Sequence, residues 1–235
     1  IANMVKEKKE KKHIAFFSLE MPAIQLAQRL ISNIGNIKMN DISKGEILAD
    51  GSINLWAAHQ KLSDSKVYVD DSSLVKPGEI LTKCRRLSNK LGGLDMIVID
   101  YLQLMMGESR NNDNRQQDIS YISRMMKILA KEINVPVIII SQMSRGIENR
   151  RDKTPKLSDL RESGAIEQDA DIVAFLSREN DDDKNGAVIL DIAKHRNGEL
   201  FKIRLDWTGA FIRFEESADQ EIKINVLPEG NNMNY

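Results

Sequence analysis

Short apolar runs alternate along the chain with stretches whose apolar residues recur every three to four positions. The runs predict strands over 14–18, 66–70, 96–100, 136–141, 172–176, 187–193, 200–206 and 210–214. Between them, Ile24, Ala27, Ile31 and Ile34 mark one helical stripe, with Pro22 near its start and Gly35 at its stop. Ile80, Cys84, Leu87 and Leu91 mark a second, ended by Gly92 and Gly93. Ile119, Ile122, Met126, Leu129 and Ile133 mark a third, ended by Asn134 and Pro136. The runs MIVID and VIIIS are apolar at every position but the last, so both faces of those strands call for cover. That is the pattern of a parallel sheet with helices on two sides. The last strands alternate instead: Phe201, Ile203 and Leu205 against Lys202, Arg204 and Asp206. They predict antiparallel strands at the C-terminal edge, with TGAF at 208–211 as their turn. The fold class is α/β: a mostly parallel twisted sheet flanked by helices, closed by antiparallel strands.

Composition narrows this picture. A chain of 235 residues with 41% hydrophobic and 29% charged residues suits one large soluble domain. No internal repeat is present. No apolar run approaches the roughly 18–20 residues of a membrane span, so no membrane association is expected. No secretory leader is visible, and a single cysteine, Cys84, excludes an internal disulfide framework. Both point to the cytoplasm. Cys84 lies on an apolar stripe and is expected to be buried and inert. Met125 and Met126 read as core fillers. A net charge of −1 gives no overall basic surface, so nucleic-acid binding would have to come from local loops or from several assembled copies. Aromatics at 5% are too few for a base-stacking platform.

The opening IANMVKEKKEKK favours helix without a cap or an initiator Met, and reads as the end of a helix begun upstream. Residues 107–116 and 179–186 read as polar loops. Residues 217–235 carry few core signals and read as a tail, leaving 1–216 as the domain.

In an open parallel sheet, ligands gather at the carboxyl ends of the strands. Three predicted strands end on polar groups there: FFSLE at Glu20, MIVID at Asp100 and VIIISQ at Gln142. A carboxylate after an apolar strand suits Mg²⁺ beside a nucleotide triphosphate, because that ion wants hard oxygen ligands and keeps several waters. A second acid nearby can orient and polarise an attacking water. An amide at a third strand end can bond the terminal phosphate or that water. Plainer readings exist: Asp100 can simply cap the next turn, and Glu20-Met21-Pro22 also reads as a helix entry. No G-x-x-x-x-G-K-[ST] occurs in the 235 residues. Its helix would end where residues 1–12 lie, so that phosphate loop is expected upstream and the 235 residues alone are expected not to hydrolyse ATP.

The segments FFSLEMPAIQLAQRL, VYVDDSS, IVIDYLQLM, INVPVIIISQMSR, SDLRESGAIEQDADIVAFLSR and AKHRNGE follow one another here. In this order they resemble the RecA-like motor domain of DnaB-type replicative DNA helicases, over about residues 1 to 214. The resemblance implies an ATP-dependent DNA helicase that couples hydrolysis at subunit interfaces to movement along single-stranded DNA, 5′ to 3′. It implies a homo-hexameric ring, Mg²⁺ and ATP as cofactors, and helicase loader, primase and clamp-loader partners in a bacterial replisome. Glu20 matches the water-activating glutamate, Asp100 the Mg²⁺-supporting aspartate, and Gln142 the γ-phosphate sensor. Lys194 and Arg196 match a basic pair that reaches a neighbouring subunit's nucleotide; by themselves they read as a solvated strand edge. His195 and Glu199 stand where the family has Gln and Pro, and the basic pair is kept.

Arg161, Glu162 and Gly164 match a channel loop that meets single-stranded DNA phosphates, a contact blind to base identity. The segment also reads as two short helices around a glycine break. Upstream, Arg145, Arg150, Arg151, Lys153 and Lys156 outnumber Glu148 and Asp152, either as a channel face or as a solvated loop. The alternatives to the helicase are a RecA-like recombination or repair ATPase, and an interaction domain that does not hydrolyse ATP.

Overall fold

The β-branched and aromatic runs form the strands, and the periodic stretches form the helices that cover them. A computed structural model describes residues 1–6, 11–47, 49–107, 115–160, 164–179 and 186–218. The chain divides into two units: Ile1–Ala170 with Thr208–Arg213, and Asp171–Trp207 with Phe214–Tyr235.

The first unit is built on β1 (Ile14–Ser18), β2 (Val67–Asp70), β3 (Met96–Asp100) and β4 (Val137–Ile139), in the order β2-β1-β3-β4. All three pairings are parallel, so every carboxyl end lies on one edge. Its helices are α1 (Ala2–Lys6), α2 (Ala23–Gly35), α3 (Met39–Lys44), α4 (Ala49–Ser63), α5 (Pro77–Leu91), α6 (Arg115–Ile133) and α7 (Gly164–Asp169). Alternation along β1 and β3 separates two cores. Ala15, Phe17, Ile97 and Ile99 face Ile80, Leu81 and Cys84 of α5 and Ile119, Ile122, Met126 and Leu129 of α6. Ile14, Phe16, Met96 and Val98 face Leu26, Leu30 and Ile34 of α2 and Ala58 of α4. A period of two along a strand, with both faces buried, is what a sheet covered on two sides requires. Cys84 is fully buried, and burial first, then the charge of Asp70, pushes its thiol up to about 12.

Several helix expectations are corrected in detail. Ile24, placed on the buried stripe of α2 by its spacing, is 66% exposed. The buried face runs Leu26, Leu30, Ile34, and Ile24 lies about 200° around the helix from Leu26. Gly35 is not the left-handed stop; Asn36 is, at φ 54°. Gly35 serves packing instead, because a Cβ there would come 3.0 Å from the Ala58 Cβ and 3.2 Å from the Asn54 carbonyl oxygen of α4. Helices α3 and α4 were not foreseen. Among the described residues Ala58 of α4 is buried in the core, with Leu62 packed against it, while Ile53 is 72% exposed. Asn134 (φ 58°) and Gly92 (φ 75°) end α6 and α5 in left-handed conformations, as their positions predict. Cover on both faces holds for β1 and β3 but not for β4, where Ile138, like Ile140 just past its end, is about half exposed. β4 is three residues long and ends the row of four strands.

The second unit carries β5 (Ile172–Arg178), β6 (Ala187–His195), β7 (Lys202–Thr208) and β8 (Arg213–Glu216) in that order, with β5–β6 and β6–β7 antiparallel. The predicted C-terminal antiparallel strands are present, and they are hydrogen-bonded as a sheet of their own. Val173, Phe175, Val188 and Ile192 are its buried side chains. A short 3₁₀ turn at Gly209–Phe211 falls where TGAF predicts the reversal. Among the described residues, no helix is long and apolar enough to cross a membrane.

Candidate functional site

Parallel pairing sets Ser18 opposite Asp100 at the ends of β1 and β3. The Leu19 N–H then donates to the Asp100 carbonyl at 2.7 Å, so the chain leaves β1 still tied to β3. Glu20 follows at once and is exposed. Two side chains shape its turn. The Ser18 hydroxyl donates to the Met21 carbonyl at 2.7 Å, and the Asp71 carboxylate accepts the Ala23 N–H at 2.9 Å, meeting an orphan donor of the first turn of α2. Asp71 comes from the end of β2, so three adjacent strands converge on this corner.

Glu20 and Asp100 are close enough to feel each other. Burial first, and then the charge of Glu20, raises the Asp100 carboxyl above its ordinary value; Arg29 of α2 opposes the shift. The ends of β1 and β3 thus bring two carboxylates to one edge of the sheet. Among the described residues no group of three His, Cys, Asp or Glu side chains could hold a metal alone. The donor set therefore fits an ion that takes most of its ligands from phosphate oxygens and water, as Mg²⁺ does.

Beyond β4 the chain keeps its tie to β3: the Ile140 N–H donates to the Ile99 carbonyl, and the Leu102 N–H to the Ile140 carbonyl, both at 2.9 Å. Ser141 and Gln142 come next. The Gln103 side chain bonds both of them, donating to the Ser141 hydroxyl at 2.9 Å and to the Gln142 carbonyl at 3.0 Å. Its own carbonyl accepts the Gln142 N–H at 3.1 Å. Glu20, Asp100 and Gln142 thus leave three neighbouring parallel strands at their carboxyl ends.

The remaining predicted site residues fall elsewhere. Lys194 lies in β6, paired in register with Val173. Arg196 follows the end of β6; its N–H donates to the Asp171 carbonyl, and its guanidinium bonds the Asp171 carboxylate, both at 2.8 Å. That ion pair is exposed and adds little to stability. His195 bonds the Glu199 carbonyl through Nδ1 at 3.3 Å, a local structural contact. Arg161 and Glu162 lie outside the described residues. Gly164 opens α7, and a Cβ there would meet nothing within 4 Å. Part of the upstream basic excess is structural: Arg150 pairs with the buried Asp159 at 2.7 Å and donates to the Thr154 carbonyl.

Sequence reading missed Ser18, Asp71 and Gln103. Asp71 and Gln103 act through hydrogen bonds to distant turns and Ser18 through one within its own turn, and only the doubled acid in VYVDDSS hints at one of them.

The parallel sheet, its helical layers and its strand-end carboxylates define a RecA-like α/β domain. The chain belongs to the DnaB-like helicase C-terminal domain family, whose model matches residues 1–216. It is 46% identical over 210 residues to the replicative DNA helicase DnaB of Geobacillus stearothermophilus, covering 88% of this chain and 46% of that protein. It is likewise 46% identical over 205 residues to the replicative DNA helicase DnaC of Bacillus subtilis (strain 168), covering 86% of this chain and 45% of that one. The chain therefore spans about half the length of these curated relatives. Among solved structures, one ATPase domain superposes with a TM-score of 0.82 at 35% identity, covering 88% of this chain and 75% of that one. A DnaB-like replicative helicase studied with its primase interactions gives 0.80 at 36% identity, covering 86% and 50%.

Proposed function

We propose that this chain is the motor domain of an ATP-dependent replicative DNA helicase. The observation that carries the reading is the placement of Glu20 and Asp100 at the carboxyl ends of the adjacent parallel strands β1 and β3. Asp100 would hold Mg²⁺, largely through water, and that ion would supply charge neutralisation on the triphosphate. Glu20, exposed and just past the end of β1, orients the attacking water and takes its proton. Gln142 contacts the terminal phosphate. Lys194 and Arg196 act on the nucleotide of a neighbouring subunit in a homo-hexameric ring, which makes hydrolysis depend on the interface. Arg161, Glu162 and Gly164 meet single-stranded DNA in the channel of that ring. Primase and a helicase loader are its partners; the family relationship supports primase through the related helicase studied with it.

The test is DNA-stimulated ATPase and forked-duplex unwinding by the full encoded protein, because the 235 residues contain no G-x-x-x-x-G-K-[ST] loop. Glu20→Gln keeps the shape and removes the base. It is expected to lower turnover by about 10²–10⁴-fold while leaving nucleotide binding in place. Unchanged turnover would overturn the assignment of Glu20, and strand exchange without unwinding would point to a recombination ATPase.

A further inference from the structure

The β3–β4 ladder ends at Ile99 and Ile139, three residues before Gln142. Past that point a strand end is ordinarily free to fray, yet Gln142 is held on both of its main-chain polar groups. The Gln103 carboxamide accepts its N–H at 3.1 Å and donates to its carbonyl at 3.0 Å. This is the pattern a neighbouring strand would offer, supplied here by one side chain. The same amide nitrogen also reaches the Ser141 hydroxyl at 2.9 Å, so two consecutive residues are fixed. Gln103 is itself anchored. It lies in the 3₁₀ turn Leu102–Leu104 directly after Asp100 and Tyr101, and its carbonyl accepts the Arg115 guanidinium of α6 at 2.6 Å. Gln142 is exposed, and its side-chain amide makes no hydrogen bond among the described residues. The clamp therefore fixes the main chain and Cβ from which this side chain extends.

We infer that Gln103 is a positioning residue for the ATPase reaction: its carboxamide clamps the Ser141–Gln142 main chain and so aims the Gln142 side chain at the nucleotide. The clamp joins the turn after Asp100 to the segment after β4, and any shift of one is passed to the other through three hydrogen bonds. Reaction rates are sensitive to such placement, since displacements of about 1 Å can change turnover by 10²-fold. The inference rests on the ATPase reading of this site.

The experiment measures kcat and KM for ATP in the full encoded protein with single-stranded DNA. Gln103→Leu, Gln142→Ala, the double variant and Glu20→Gln are compared, with circular dichroism melts alongside. Gln103→Leu is expected to lower kcat about tenfold and leave KM within about twofold. In the Gln142→Ala background it should change kcat by less than about twofold, because its effect passes through Gln142. Equal loss in both backgrounds, or no loss in the single variant, overturns the inference. Should Gln103→Leu fail to fold, Gln103→Glu serves instead, since it can still accept from the Gln142 N–H but cannot donate to its carbonyl; it must show the same non-additivity. Glu20→Gln separates the two levels. If it leaves turnover intact, the ATPase reading fails; if it abolishes turnover while Gln103→Leu does not alter it, only the clamp fails.

Discussion

Ile99 immediately precedes Asp100 and is 0% exposed, packed with Ile80, Cys84, Ile119, Ile122 and Met126 beneath the site. Ile99→Ala removes three buried carbons. At about 0.8 kcal/mol each, the transfer loss is roughly 2.4 kcal/mol. A void on the order of 60 Å³ that the helices cannot close adds about 1.5 kcal/mol. The expected loss is then about 4 kcal/mol, a large part of the 5–15 kcal/mol typical of a folded domain. The assay is urea unfolding followed by circular dichroism, where a slope of about 1–3 kcal/mol per molar turns that loss into a midpoint shift of more than about 1 M. Ile53→Ala is the control. Its side chain on α4 is largely in water, so its effect should stay within about 0.5 kcal/mol. Equal shifts for the two variants, or a loss at Ile99 below about 1 kcal/mol, would refute the two-sided burial of β3 on which the site's geometry stands.

Two further expectations concern Asp100 and Gly35. Asp100 is raised by burial and by Glu20, so the folded state holds its proton more tightly than the unfolded chain. The associated stability is present below the unfolded aspartate value and is lost as pH rises through the raised one. Asp100→Asn should thus melt above the wild type at pH 7, with the gap closing toward about pH 4; equal melting temperatures at both pH values would contradict the coupling. Gly35→Val places a branched side chain against Ala58 and the Asn54 carbonyl, and thermal melts should show a loss of about 1–3 kcal/mol. A stabilised variant would mean that α2 and α4 do not approach as closely as described.

What could be read from the sequence was whatever burial writes into periodicity. β1, β3, α5 and α6 have apolar residues wherever they meet a neighbour, and their limits agree closely with the runs that predict them. Helix α4 escaped because it buries Ala58 while leaving Ile53 and Trp56 in water, which breaks the link between apolar and inside. Ile24 misled for the same reason. Glu20 and Asp100 were legible because a charge at the end of an apolar strand must lie at the sheet's edge. Gln103, Ser18 and Asp71 were not, because a polar side chain in a turn looks the same whether it bonds water or a distant main chain. For Asp71 and Gln103, only the parallel register, which depends on four segments far apart in sequence, sets the partners side by side.

Cys84 has a practical consequence for watching this protein move. Its thiol is the sole one in the 235 residues, sealed between α5 and the sheet and pushed up to about 12, so at neutral pH almost none of it is the reactive thiolate. A cysteine introduced on any exposed position would take up a maleimide dye or a spin label with no competing background. The chain is in effect already cysteine-free for spectroscopy, and pairs of probes could be placed on it without first removing a native residue.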